Sequence, residues 1–95
     1  MVSQEINTKI VSYLKQYHPS MVGVFGSYAR NEQTKFSDID VLIDFKSALS
    51  LLQIVHIEQE LSEILGIKVD LVTMASLKNA KIKEYIKKDL QVIYE

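Results

Sequence analysis

The sequence predicts an α/β (α+β) domain in which a small sheet is covered by helix on one face and open, at one end, to a ligand on the other. Two observations carry this reading. Apolar runs at residues 21–25 (MVGVF), 39–45 (IDVLIDF) and 68–73 (KVDLVT) have the length and the β-branched content of strands. Before, between and after them, residues 4–17, 51–65 and 77–88 carry apolar side chains at helical spacing. A third observation orients the sheet. Alternation along 39–45 puts Ile39, Val41, Ile43 and Phe45 on one side, and Asp38, Asp40, Leu42 and Asp44 on the other. One side is fully apolar and the other is acidic at its start.

Taken in order, Ile6, Ile10, Leu14 and Tyr17 recur at four, four and three residues, giving a first helix with one apolar stripe over 4–17, which Ser3 can cap. His18-Pro19-Ser20 stops it, because proline biases the residue before it away from helical dihedrals. Residues 21–25 follow as a short buried strand in which Gly23 permits close backbone approach. Gly26 makes a tight turn, and residues 27–31 are expected to form a short helix whose first N–H groups, with the Ser27 hydroxyl, point at an anion. Residues 31–37 are polar and read as loop. After the strand at 39–45, Ser50 caps a helix over 51–65 with Leu51, Ile54, Val55, Leu61 and Leu65 inward and Glu58, Glu60 and Glu63 more outward. Gly66 ends it. In the strand at 68–73 Asp70 falls between Val69 and Leu71, and an acid there needs a reason because burying an unpaired carboxylate is costly. Ser76 is expected to cap a last helix over 77–88, with Ile82, Tyr85 and Ile86 inward and Lys78, Lys81, Lys83, Lys87 and Lys88 outward, and residues 91–94 add an edge strand.

Composition bounds the function. The 95 residues fit one domain with a modest core and leave no room for a separate substrate-recognition module. With 11 basic and 12 acidic residues the formal charge is -1, so the global positive field that non-specific nucleic-acid binding needs is missing, and no direct nucleic-acid partner is expected. The absence of cysteine excludes thiol chemistry and thiolate zinc sites. Neither a signal peptide nor a membrane span is expected, and a cytoplasmic location is.

The chemistry concentrates between residues 26 and 40, with one further acid. Asp38 and Asp40 project from the same face of a strand, about 6.5 Å apart along it, so both can ligate one cation. A glycine turn and Ser27 on the neighbouring strand's end can hold phosphate oxygens, and Asp70, on its own strand, can take a proton from an attacking hydroxyl or complete a second metal site. That set suits phosphoryl or nucleotidyl transfer, in which positioning and charge neutralisation are most of the work. It does not suit hydride or acyl transfer.

Gly26-Ser27, ten intervening residues and Asp38-Ile39-Asp40 reproduce the signature of a known family. The segment resembles the minimal nucleotidyltransferase (MNT) family of the DNA polymerase beta-like superfamily, and the resemblance runs from the first strand through the last helix. It implies the nucleotidyltransferase fold, a small mixed sheet with helices packed on it. It also implies that Gly26 and Ser27 hold the triphosphate of ATP, that Asp38 and Asp40 bind magnesium (Mg2+), and that Asp70 is the third acid helping to activate the acceptor. Arg30 stands where such proteins commonly carry a basic residue near phosphate. Many relatives read Ala-Arg-Gly where this chain has Ala29-Arg30-Asn31; asparagine tolerates left-handed backbone dihedrals, so the loop shape can survive.

Small single-domain members of that family typically act as antitoxins that transfer AMP to a tyrosine of a HEPN-domain ribonuclease toxin. The resemblance therefore implies a HEPN toxin as acceptor and partner, and a homodimer or hetero-oligomer is expected from the limited core and the sheet's exposed edges. Two other functions are open: a non-catalytic antitoxin that neutralises by binding, and transfer to a small molecule such as an aminoglycoside. Single residues have plainer readings as well. Ser27 can be only an N-cap, Arg30 an ordinary surface charge, and Asp70 a structural acid paired with Lys68 or Arg30. Tyr28 can pack or lie beside the nucleotide. Asp44 falls past the site, His18 and His56 read as loop and helix-surface residues, and the terminal lysines as a solvated face or a dock for an acidic partner.

Overall fold

The computed structural model describes residues 4–95, so Ser3 lies outside the described residues. Helix α1 (Gln4–Leu14) tightens into a 3-10 turn at Lys15–Tyr17. His18 then closes the helix in the left-handed conformation (φ 56°, ψ 57°), donating its N–H to the Lys15 carbonyl at 3.1 Å. The turn is thus a left-handed cap rather than the extended residue that a following proline favours, and strand β1 (Pro19–Phe25) begins at the proline itself. Strand β2 (Ile39–Phe45), helix α2 (Leu51–Leu65), strand β3 (Val69–Thr73), helix α3 (Ala80–Asp89) and strand β4 (Gln91–Tyr94) complete the order.

The four strands form one sheet in the order β3-β2-β1-β4. β1 runs antiparallel to both β2 and β4, while β2 and β3 are parallel across the α2 crossover, so the sheet is mixed as expected. One face packs on α1 and α2 through Val22, Val24, Ile39, Val41 and Ile43 against Ile10, Leu14, Ile57 and Leu61, all fully buried. The other face is covered only in part. Phe25 and Leu42 meet Ile86 of α3, with Met21, Leu77 and Leu90 around them.

Two helices sit differently from their sequence pattern. In α2 the capping box forms as expected, Ser50 Oγ accepting from Gln53 N at 3.2 Å and Gln53 Oε1 accepting from Ser50 N at 2.9 Å. Its buried stripe, however, centres on Ile57 and Leu61, and Leu51 is 76% exposed, with Val55 also at the surface. Glu58 was expected outward, but the outer edge of β3 recruits it. Leu71 N donates to Glu58 Oε2 at 2.8 Å and Val69 N to Ser62 Oγ at 2.9 Å, which satisfies an edge strand that would otherwise present bare N–H groups. In α3 the cap is Asn79, whose Oδ1 accepts from Lys81 N at 2.9 Å and Ile82 N at 3.4 Å. Ser76 instead lies in a 3-10 turn and donates to the Thr73 carbonyl at 2.8 Å. Of the three side chains expected inward, Ile86 is buried, whereas Ile82 and Tyr85 are exposed to solvent. Among the described residues no helix is long and apolar enough to cross a membrane.

Candidate active site

Strand alternation places Asp40 and Asp70 on the face that α3 leaves uncovered, at the end of the sheet where β1 stops and β2 and β3 begin. The parallel register sets Asp40 directly beside Asp70, and the antiparallel register sets Asp40 opposite Phe25, the residue before Gly26. Asp38 precedes β2, where Ile39 N donates to the Lys68 carbonyl at 2.9 Å. All three sequence-predicted acids and the glycine-serine turn are therefore brought to one end of the fold. Asp44 lies on the same strand face two residues past Leu42, away from that end, as expected.

Gly26 is specified twice. Its backbone is left-handed (φ 76°), and a Cβ built on it would overlap the Asp40 carboxylate. The glycine is what lets the chain turn directly over Asp40. Residues 27–31 do not make the short helix expected of them. They form consecutive turns, with Arg30 N donating to Gly26 O (3.1 Å), Asn31 N to Tyr28 O (3.2 Å) and Glu32 N to Ser27 O (2.9 Å). This ladder leaves the N–H groups of Ser27 and Tyr28 outside it, and the Ser27 hydroxyl caps no helix. Asn31 takes the left-handed dihedral (φ 60°) that asparagine tolerates. Tyr28 is buried in the core formed with α1 and α2, so its role is packing.

The acids shape one another. Burial raises the Asp40 carboxyl above its ordinary value, the charges of Asp70 and Asp38 raise it further, and Arg30 opposes them. Asp70 is exposed and pairs with neither Lys68 nor Arg30; Lys68 Nζ instead approaches Asp38 Oδ2 at 3.8 Å. Arg30 directs Nη1 to Asp89 Oδ2 (2.7 Å) and Nε to Glu32 Oε1 (2.6 Å), and Asp89 followed by Glu32 holds its guanidinium protonated well above the usual range. The Asp89 contact was not legible in the sequence, since Asp89 lies 59 residues from Arg30. His56 binds Glu60 at 2.7 Å on α2, which bears out a surface role.

Among the described residues no three acidic or histidine side chains are arranged to hold a metal ion by themselves. The donors present are nevertheless carboxylate oxygens that repel each other without a cation, which is the ligand chemistry a small hard ion such as magnesium takes, with phosphate oxygens supplying the rest of its shell. A turn with unused N–H groups beside such carboxylates can hold a polyphosphate and its counter-ion together.

A mixed four-stranded sheet with these acids at its open end fits a nucleotidyltransferase. A family model described as the nucleotidyltransferase domain matches residues 8–93, and the chain belongs to that family. Among relatives, a Methanocaldococcus jannaschii protein named as a candidate protein adenylyltransferase is 48% identical over 88 residues, covering 92% of this chain and 90% of the relative. The protein adenylyltransferase MntA of Thermococcus cleftensis is 36% identical over 95 residues, covering 96% and 93%. Two solved structures share the fold. A toxin–antitoxin crystal structure with AMP-PNP is 23% identical with a TM-score of 0.85, covering 93% of this chain and 72% of that one. A tri-AMPylated Shewanella oneidensis HEPN toxin in complex with MNT antitoxin is 22% identical with a TM-score of 0.79, covering 96% and 71%.

Proposed function

We propose that this protein is a magnesium-dependent adenylyltransferase that moves AMP from ATP to a hydroxyl, a tyrosine by preference, of a HEPN-domain ribonuclease toxin, and so acts as its antitoxin. The observation that carries this reading is the grouping of Asp38, Asp40 and Asp70 beside the Gly26 turn at the uncovered end of the sheet. The adenylyltransferase names of its relatives, and the AMPylated HEPN toxin bound to an MNT antitoxin in a protein of the same fold, support the same acceptor.

In this reading the N–H groups of Ser27 and Tyr28 and the Ser27 hydroxyl bind phosphate oxygens, and Asp38 and Asp40 hold magnesium, with Asp70 adjoining. The ion, when bound, supplies charge neutralisation at the phosphates. Asp70, exposed and next to Asp40, accepts the proton of the incoming hydroxyl while that oxygen bonds to the α-phosphorus and pyrophosphate leaves. The open end of the sheet leaves the acceptor to be delivered by another molecule, so a hetero-oligomer with the toxin is the working assembly. Arg30 acts on phosphate from a position already shared with Asp89 and Glu32.

The test is the intact mass of the co-purified partner after incubation with ATP and magnesium. The expected result is a gain of one or more AMP units, lost when Asp38 and Asp40 are both replaced by alanine while the complex still forms. A partner that is neutralised without any gain in mass would favour inhibition by binding alone and overturn the enzymatic reading.

A further inference from the structure

The segment from Gly26 to Ser37 carries no regular helix or strand, yet it must keep the Gly26 turn seated over Asp40. Its turns run from the N–H groups of Arg30, Asn31 and Glu32 back to the carbonyls of Gly26, Tyr28 and Ser27, within the loop. Tyr28 anchors it in the core, and two side-chain hydrogen bonds reach it from the corner where α3 passes into β4. Asp89, the last residue of α3, accepts from Arg30 Nη1 at 2.7 Å, and Gln91, the first of β4, donates from Nε2 to the Ala29 carbonyl at 3.0 Å. Arg30 uses its other edge on Glu32 within the loop, so the guanidinium staples the loop to the corner.

Three features show that the corner is built for this contact. Asp89 puts a negative charge at the C-terminal end of a helix, where the helix dipole disfavours it, so its place is not explained by helix stability. Gln91 pairs with Val24 in the antiparallel register, so the corner is fixed to the strand that feeds the loop. Gly23 lies under it, and a Cβ there would come within 2.5 Å of Leu90 Cδ1 and 3.3 Å of the Gln91 carbonyl. A side chain at residue 23 would therefore force the Leu90 side chain to move and crowd the Gln91 backbone at this corner.

We infer that Asp89 and Gln91 are positioning residues for nucleotide binding, holding the glycine-serine loop in its working shape through Arg30 and the Ala29 carbonyl. The functional half of this inference rests on the phosphate-binding role proposed above for the loop; the mechanical half does not. Two readouts separate them: calorimetric binding of AMP-PNP with magnesium, and hydrogen exchange at the loop N–H groups of Arg30 and Glu32 in the ligand-free protein.

Asp89→Asn and Gln91→Ala are each expected to weaken AMP-PNP binding about five- to tenfold and to speed loop exchange by a similar factor. Asp89→Glu, which keeps the charge, is expected to restore both to within about twofold of the unaltered protein. Arg30→Ala combined with Asp89→Asn should bind no more weakly than Arg30→Ala alone, because the two residues act through one contact. A corner with a merely structural role would lower the melting temperature of these variants without moving affinity or loop exchange, and that result overturns the inference. So would losses from Arg30→Ala and Asp89→Asn that multiply. If the unaltered protein binds no AMP-PNP, the proposed function falls, while loop exchange still decides whether the corner holds the loop.

Discussion

At Gly26 a methyl group has nowhere to go. A left-handed backbone costs a non-glycine residue about 1–2 kcal/mol, and the added Cβ would also drive the Asp40 carboxylate aside. Gly26→Ala is therefore expected to lower stability by at least about 1 kcal/mol in urea unfolding and to abolish AMP transfer, a larger functional than structural loss. The position of this glycine was legible as a turn at the end of a strand. Its second reason, room for a carboxylate on the adjacent strand, was not, because it exists only once β1 and β2 are paired. Asp40 itself yields a prediction of opposite sign. Its raised value means that the native state binds more protons than the unfolded chain between the unfolded value, near 3.8, and the folded one. Stability attributable to this group therefore falls as pH rises through that window, and the full penalty stands at neutral pH. Asp40→Asn should make the metal-free protein more stable than the unaltered one at pH 7, with the gap closing toward pH 4 and on adding magnesium, while transfer is lost. Urea midpoints across that pH range measure it, and a variant less stable at pH 7 than at pH 4 relative to the unaltered protein would refute the repulsion it assumes.

At the scale of elements, helix α3 shows where local sequence signals compete. Ser76 and Asn79 are both acceptable caps, and the sequence alone favours the earlier one. In the folded chain Leu77 is spent on the sheet's second face, with Met21 and Leu42, which holds the segment out of helix until Asn79. Asn79→Ala is expected to cost about 1 kcal/mol, since one side-chain oxygen serves two helical N–H groups. Ser76→Ala, which removes only an exposed bond to the Thr73 carbonyl, should stay within about 0.5 kcal/mol. Equal losses at the two sites would mean that the helix starts at Leu77 after all. The same competition explains α2. Its period was legible, but the exact face was decided by β3, whose outer N–H groups draw Glu58 and Ser62 and so turn Ile57 inward. Strands proved more readable than helix faces here because alternation by two admits only two choices, and burial of Ile39, Val41 and Ile43 excludes one of them.

For the molecule as a whole, Asp38, Asp40 and the glycine turn could be read in the sequence because their spacing is local, Asp70 stood out as an acid inside an apolar strand, and the mixed character of the sheet was carried by the family resemblance, whereas its order β3-β2-β1-β4 was not legible. What remained illegible was long-range: the tethers from Asp89 and Gln91, and the depth at which each helix residue sits. That depth matters because a chain of 95 residues has a stability of roughly 5–14 kcal/mol, so one deep side chain is a large share of it. Ile57 is fully buried between α1 and the sheet, whereas Leu52, an equally apolar residue of the same helix, is 82% exposed. Ile57→Ala should cost about 2–5 kcal/mol through lost transfer energy and the cavity left behind. At about 4–8 °C per kcal/mol for a domain of this size, its melting temperature should fall by at least about 8 °C. Leu52→Ala should move it by no more than about 4 °C, since almost no area returns to water. Similar melting losses for Ile57→Ala and Leu52→Ala would instead show that α2 is rotated toward the face its sequence pattern suggests.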